Sequence, residues 1–224
     1  MNTAKVFQFP EQANGKKNAK RIINTDGVKY FNPLQIKLLR RTVRDAAILG
    51  KAKGQCTAIR EWMLIDLLVR TGMREGEAAD LRCGDIKTGL GQCEIFIRDG
   101  KGGRSRTIQI PDGLKTHLRS FLKWKTDQNE PTGEDDHILV GQRGAWTGQA
   151  VGQVVKKYLR ILGLYEKGKS AHSLRHSYAT EYYARTKDLR GLQKQLGHAS
   201  IQTTQIYADV TKEDIQKEIK NLWN

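Results

Sequence analysis

Apolar residues recur along this chain at two different periods, and the changes of period mark out its elements. Residues 1–28 show no period. At Asn32 a helical pattern begins: Asn32 can cap a helix, Pro33 suits the first helical position, and Gln35 can reach back as in a capping box. Leu34, Leu38, Leu39 and Val43 then form a stripe at helical spacing that ends near Gly50. A second helix is predicted over residues 57–70, stopped by Thr71 and Gly72, and a short third one over residues 73–81, with a turn beginning at Asp85.

Residues 93–98 read as a strand, and residues 106–110 alternate cleanly between polar and apolar. The glycine-rich residues 99–103 between them predict a β-hairpin with Lys101 at its tip. Helices are predicted again over residues 112–124 and from a Thr147 cap to Leu162, where Gly163 is the stop, and residues 137–140 read as a short strand. Three more helices are predicted over residues 172–185, 188–196 and 200–207. A C-terminal one follows over residues 211–223, with Asp214 as capping partner of Thr211. The fold class is mainly α with a small antiparallel β-hairpin sheet, an α+β arrangement. Residues 1–28 form a flexible basic segment and residues 29–224 one folded domain.

The formal net charge of +15 and a pI near 9.8 point to a polyanionic partner, nucleic acid first. The charge is spread along the chain, which favours a folded basic surface over a single basic tail. The three cysteines Cys56, Cys83 and Cys93 form no CxxC pair, as suits a reducing cytoplasm. The longest apolar run, residues 62–69, is interrupted by Asp66 and is too short to span a bilayer, and no signal-peptide pattern opens the sequence. A soluble cytoplasmic, nucleoid-associated protein is expected. The GKGGRS stretch lacks the GxxxxGK[ST] spacing of a nucleotide loop, so no nucleotide cofactor is expected.

Candidate chemistry gathers in residues 170–210. His172 and Arg175 are three apart and share one helix face, which sets a proton-transferring imidazole beside a guanidinium suited to phosphate oxygens. His198 and Tyr207 follow at distances that helices can fold back onto that pair. These residue types read as a site that attacks a phosphodiester with a tyrosine. Two other readings stand beside it: Tyr207 as a half-buried packing residue, and His172 with His176 as an i,i+4 metal pair. The metal reading lacks a Glu after the first histidine and a third ligand at a familiar spacing.

Five elements now stand in order, Arg74, Lys101, His172 with Arg175, His198 and Tyr207, in the four contexts TGMREGEAADL, RDGKGGRS, HSLRHSYAT and LGHASIQTTQIYADV. Over about residues 30–215 the chain resembles the catalytic domain of the tyrosine recombinase (phage integrase) family. The R-x-x-E-x-x-x-L box falls on Arg74, Glu77 and Leu81, the hairpin lysine on Lys101, the H-x-L-R-H box on residues 172–176, and LGH with a tyrosine nine later on His198 and Tyr207. The resemblance implies a site-specific DNA recombinase or integrase, of the kind mobile elements carry, acting through a 3′-phosphotyrosyl intermediate. Tyr207 would be the nucleophile, Arg74, Arg175 and His198 would hold the phosphate, Lys101 would protonate the 5′ oxygen, and His172 would help accept the tyrosine proton. Glu77 would orient rather than react. Neither a metal nor any other cofactor is implied.

The implied partners are double-stranded DNA, further copies of the chain (a dimer on one site, a tetramer in synapsis, joined by the C-terminal helix) and an accessory DNA-bending or directionality protein. No membrane partner is implied. Only about 30 residues precede the catalytic pattern, too few for the helical core-binding domain most members carry, so the expectation is either a chain similar to small single-domain invertases or a truncated gene product. Two rival functions share these residues: a type IB topoisomerase-like relaxing enzyme and a non-catalytic DNA-binding regulator.

Overall fold

Asn32 opens the first helix: its side chain accepts from Gln35 N at 2.9 Å, while its own backbone N–H donates to Gln35 Oε1 at 3.0 Å. This computed structural model describes residues 29–100, 103–208 and 219–220. The basic segment over residues 1–28, Lys101, and the predicted C-terminal helix apart from residues 219 and 220 lie outside the described residues.

Helix α1 (Pro33–Ala52) lies along α2 (Cys56–Thr71). Its buried line is Leu39, Val43, Ala47 and Gly50, whereas Leu34 is 77% exposed and Leu38 half-exposed. The core face is therefore rotated from the predicted stripe toward Gly50, where a Cβ would stand 2.9 Å from Ala58 Cβ; the missing side chain lets the two helices close together.

Met63, Leu64, Ile65, Leu67 and Leu68 make α2 the central helix, buried on nearly every side. Two carboxylates are buried with it, and both are paired, as buried charges must be. Asp66 accepts from Arg40 at 2.8 Å and from His117 at 2.9 Å, with Arg70 at 3.1 Å. Glu61 accepts from Lys157 at 2.7 Å and from the Tyr158 hydroxyl at 2.7 Å. These pairs pin α1, α4 (Asp112–Asp127) and α5 (Gly148–Ile161) to the centre.

After α3 (Glu75–Asp80) come β1 (Ile86–Lys87), β2 (Glu94–Gly100) and β3 (Arg104–Gln109), an antiparallel sheet in that order. The predicted hairpin is β2–β3, in a register that pairs Ile95 with Ile108 and Ile97 with Arg106. Ile95, Ile97 and Ile108 are buried, and Phe96 faces outward. The strand predicted over residues 137–140 is displaced. His137 makes one isolated bridge with Arg82, and the strands are β4 (Val140–Gly141) and β5 (Gly144–Ala145).

Thr147 caps α5 as predicted, accepting from Ala150 N at 3.2 Å. Helix α6 (Ala171–Thr186), α7 (Leu189–Leu196) and α8 (Gln202–Gln205) complete the described chain. The last is a single turn rather than the helix predicted over residues 200–207. Its short length leaves Tyr207 in the turn that follows, within a small second core of Ala179, Leu192 and Leu196. Among the described residues no helix is long and apolar enough to cross a membrane.

Candidate active site

The site is assembled from helix ends. Gly72 terminates α2 at φ 64°, a left-handed conformation, and a Cβ there would lie 2.5 Å from the Tyr178 ring. Gly197 ends α7 the same way, at φ 67°, where a Cβ would meet Arg106 Cδ at 2.6 Å. Both positions need glycine for the backbone and for the space, and each turns a C-terminal carbonyl toward Arg175. Its Nη1 donates to Gly72 O at 2.7 Å and its Nη2 to Leu196 O at 2.8 Å. The negative ends of two helices thus hold one guanidinium, with three of its five N–H donors left for other acceptors. Arg175 is 3% exposed. Burial, reinforced by the charge of Arg74, pushes its pKa down to about 10, so it stays charged at neutral pH.

Arg74 sits at the start of α3, and Glu77 stands one turn on, which is what the R-x-x-E spacing encodes. Glu77 accepts from the Arg74 backbone N–H at 2.8 Å and from Arg74 Nη1 at 2.7 Å. It also takes a two-pronged contact from Arg106, at 2.8 Å to each oxygen. Burial alone would raise this carboxyl; the hydrogen bonds from Arg106 and Arg74 outweigh it and hold the group at about 2. Arg106 further donates through Nε to Gln195 O at 3.1 Å, tying β3 to α7. Arg106 was not among the predicted residues, yet a signal for it exists. It falls on the same strand face as Ile108 and Ile110, so a charge stands on an inward face and requires a buried carboxylate.

His198 follows Gly197 directly and pairs through Nδ1 with Thr204 Oγ1 at 2.9 Å. Burial first, then the charges of Arg175, Arg74 and Arg106, hold its pKa down to about 4, which also places it within the field of all three arginines. Tyr207 is 2% exposed, and its hydroxyl lies 2.5 Å from His176 Nδ1. Burial pushes the phenol up to about 12 against the opposing charge of Arg175. Burial, then the charges of His172 and Arg175, lower His176 to about 4. His172 is exposed one turn earlier on α6, its ring edge-on to that of His176 at 5.3 Å between centroids. The tyrosine hydroxyl therefore meets the second histidine of the H-x-L-R-H box rather than the first.

Arg74, Arg175, His198 and Tyr207 are brought together, with His172 at their margin through His176. Together they offer guanidinium donors for an anionic oxyanion and a sheltered hydroxyl beside them. This donor set suits a phosphodiester under attack.

The phage integrase family pattern matches residues 41–214. Tyrosine recombinase XerA of Pyrococcus furiosus is 34% identical over 208 residues, covering 88% of this chain and 67% of that protein. Tyrosine recombinase XerH of Helicobacter pylori is 33% identical over 166 residues, covering 73% and 44%. The XerH recombinase solved as a pre-cleavage complex with its difH substrate superposes with a TM-score of 0.70 at 28% identity, over 88% of this chain and 55% of that one. The crystal structure of XerA recombinase, at 23% identity and a TM-score of 0.66, shares the fold. The chain spans about half to two thirds of the length of these relatives. With that pattern running through the helices and the hairpin that build the site, the chain belongs to the phage integrase family.

Proposed function

We propose that this protein is a site-specific DNA recombinase that cuts and rejoins strands through a 3′-phosphotyrosyl bond. The observation that carries this reading is the buried Tyr207 hydroxyl, hydrogen-bonded at 2.5 Å and lying in the field of the helix-clamped Arg175. In the reaction, Tyr207 Oη bonds to phosphorus as the P–O5′ bond breaks. Arg74 and Arg175 neutralise the non-bridging oxygens; preorganised donors of this kind contribute a few kcal/mol each. His198, whose Nδ1 pairs with Thr204 Oγ1 at 2.9 Å, adds a further donor to the same phosphate. Lys101 gives the 5′ oxygen its proton. Because the phosphotyrosine conserves the energy of the broken bond, rejoining is the reverse reaction and draws on no nucleotide.

The substrate is double-stranded DNA, in keeping with the net charge of +15 and with relatives solved on their DNA sites. Two copies occupy a site and four a synapse, with an accessory DNA-bending or directionality protein setting the outcome. The test is covalent trapping on a nicked suicide substrate in EDTA. Wild type is expected to form an adduct and Tyr207→Phe none, with half-site binding nearly unchanged, because one hydroxyl adds little to a phosphate-dominated interface. An adduct persisting in Tyr207→Phe would overturn the reading. For Lys101, Lys101→Ala should cleave an ordinary phosphodiester far more slowly than wild type, yet nearly match it on a substrate whose 5′ bridging oxygen is sulfur, which leaves without protonation. Equal defects on both substrates would reduce Lys101 to a DNA contact.

A further inference from the structure

We propose that His176 is a catalytic residue of this site: its Nδ1 holds the Tyr207 hydroxyl and takes the phenolic proton as the oxygen bonds to phosphorus. The inference rests on Tyr207 being the nucleophile. Its ground is contact with the reacting atom, 2.5 Å from Nδ1 to Oη. The two ring centroids are 5.8 Å apart with planes at 48°, so the contact is made by the edge of the imidazole and is no stacking arrangement.

The local fold accounts for the pairing. His176 follows Arg175 on α6, close enough for the guanidinium charge to act on the imidazole. The one-turn helix α8 then drops Tyr207 into the small core of Ala179, Leu192 and Leu196, which fixes the phenol ring while His176 fixes its hydroxyl. Burial pushes the phenol up to about 12 and the imidazole down to about 4, and in the proposed His176 tautomer, with its proton on Nε2, the phenol donates and Nδ1 accepts. Both shifts favour the neutral pair at rest, so the transfer accompanies the attack itself. In cleavage the Oη–P bond forms, the P–O5′ bond breaks, the phenolic proton passes to His176 Nδ1, and the Lys101 ammonium protonates the departing O5′. Rejoining runs each of these transfers backward, and His176 returns its proton to Oη.

His176→Asn separates holding from proton transfer, since an amide oxygen can accept the phenol's hydrogen bond but cannot carry its proton away. Single-turnover adduct formation on the suicide substrate should fall roughly 100- to 1,000-fold in this variant, a general-base loss, while half-site binding holds. Adding imidazole to His176→Ala should recover roughly tenfold or more of its rate, a rescue that a packing role would not give. Cleavage by His176→Asn within about threefold of wild type would overturn the proposal, as would rescue by imidazole in His172→Ala but not in His176→Ala. An independent measurement needs no DNA. Nitrogen-15 NMR of the histidine-labelled protein should show His176 Nδ1 as a hydrogen-bonded acceptor whose resonance moves in Tyr207→Phe. An unmoved resonance sinks the proposal even if Tyr207 proves to be the nucleophile. A moved resonance without any Tyr207-dependent adduct sinks the nucleophile reading, and the proton-acceptor role falls with it.

Discussion

Glu77 touches no DNA in the proposed reaction, yet two arginines and a backbone N–H converge on it. Glu77→Gln keeps the shape but removes the negative charge that Arg74 and Arg106 share, and adduct formation should fall at least tenfold, a cost of roughly 1.4 kcal/mol. The same carboxyl shapes the acid limb of stability. Its folded pKa of about 2 lies below the ordinary 4.5, so its contribution is complete above pH 4.5 and is lost as pH falls from there toward 2. Thermal melts over that window should show a shallower pH dependence in Glu77→Gln than in wild type. His176 and His198 act over a higher window: each is held neutral to about 4, so the unfolded chain takes up protons first, and stability drops as pH falls from 6.5 toward 4. The pairing of Arg74 with Glu77, at a fixed helical spacing, was legible in the sequence. His176 was not, because its partner lies 31 positions away and no spacing tells which of two histidines a distant hydroxyl will meet.

At the scale of elements, the two helix-ending glycines are as tightly constrained as any side chain of the site. Gly72→Ala combines a left-handed backbone with a methyl driven against Tyr178, and should cost about 2–4 kcal/mol from strain and overpacking together. A fall in the urea midpoint measures that cost, and cleavage should drop further than stability accounts for, since Gly72 O is one of the two carbonyls gripping Arg175. Helices and the hairpin were predicted in nearly their observed places, because periodicity and turn residues are local information. The arc of α1 that faces the core was misplaced for a non-local reason. Leu34 and Leu38 fit the helical period as well as Ala47 and Gly50 do, and only the close approach of α2 at Ala58 decides between them. The length of α8 was overstated for a similar reason: the core holding Tyr207 is built from α6 and α7, not from the chain around it.

At the scale of the whole molecule, the net charge of +15 predicts that the proposed half-site binding rests on phosphate contacts and released counterions. Affinity should fall steeply and linearly on a log–log plot against salt, and deleting residues 1–28, which include Lys16, Lys17, Lys20 and Arg21, should flatten the slope; an unchanged slope makes that segment a bystander. Ending the chain after Val210 removes the one-sided stripe of Ile215, Ile219, Leu222 and Trp223, and should spare single-site band shifts while abolishing paired-site complexes. Full paired-site assembly by that truncation would show the tail to be no subunit connector.

Burial first, and then the mutual repulsion of Arg74, Arg106 and Arg175 around the carboxylate of Glu77, lower the basicity of Arg175 and His198. A small oxyanion settling there would relieve that repulsion in the folded chain and find no such cradle in the unfolded one. Sulfate should therefore pull the protein's two simplest bench measurements in opposite directions, lifting the melting temperature while it drives the DNA off. A preparation kept in ammonium sulfate would look healthiest in a thermal scan under the very conditions that silence it on DNA.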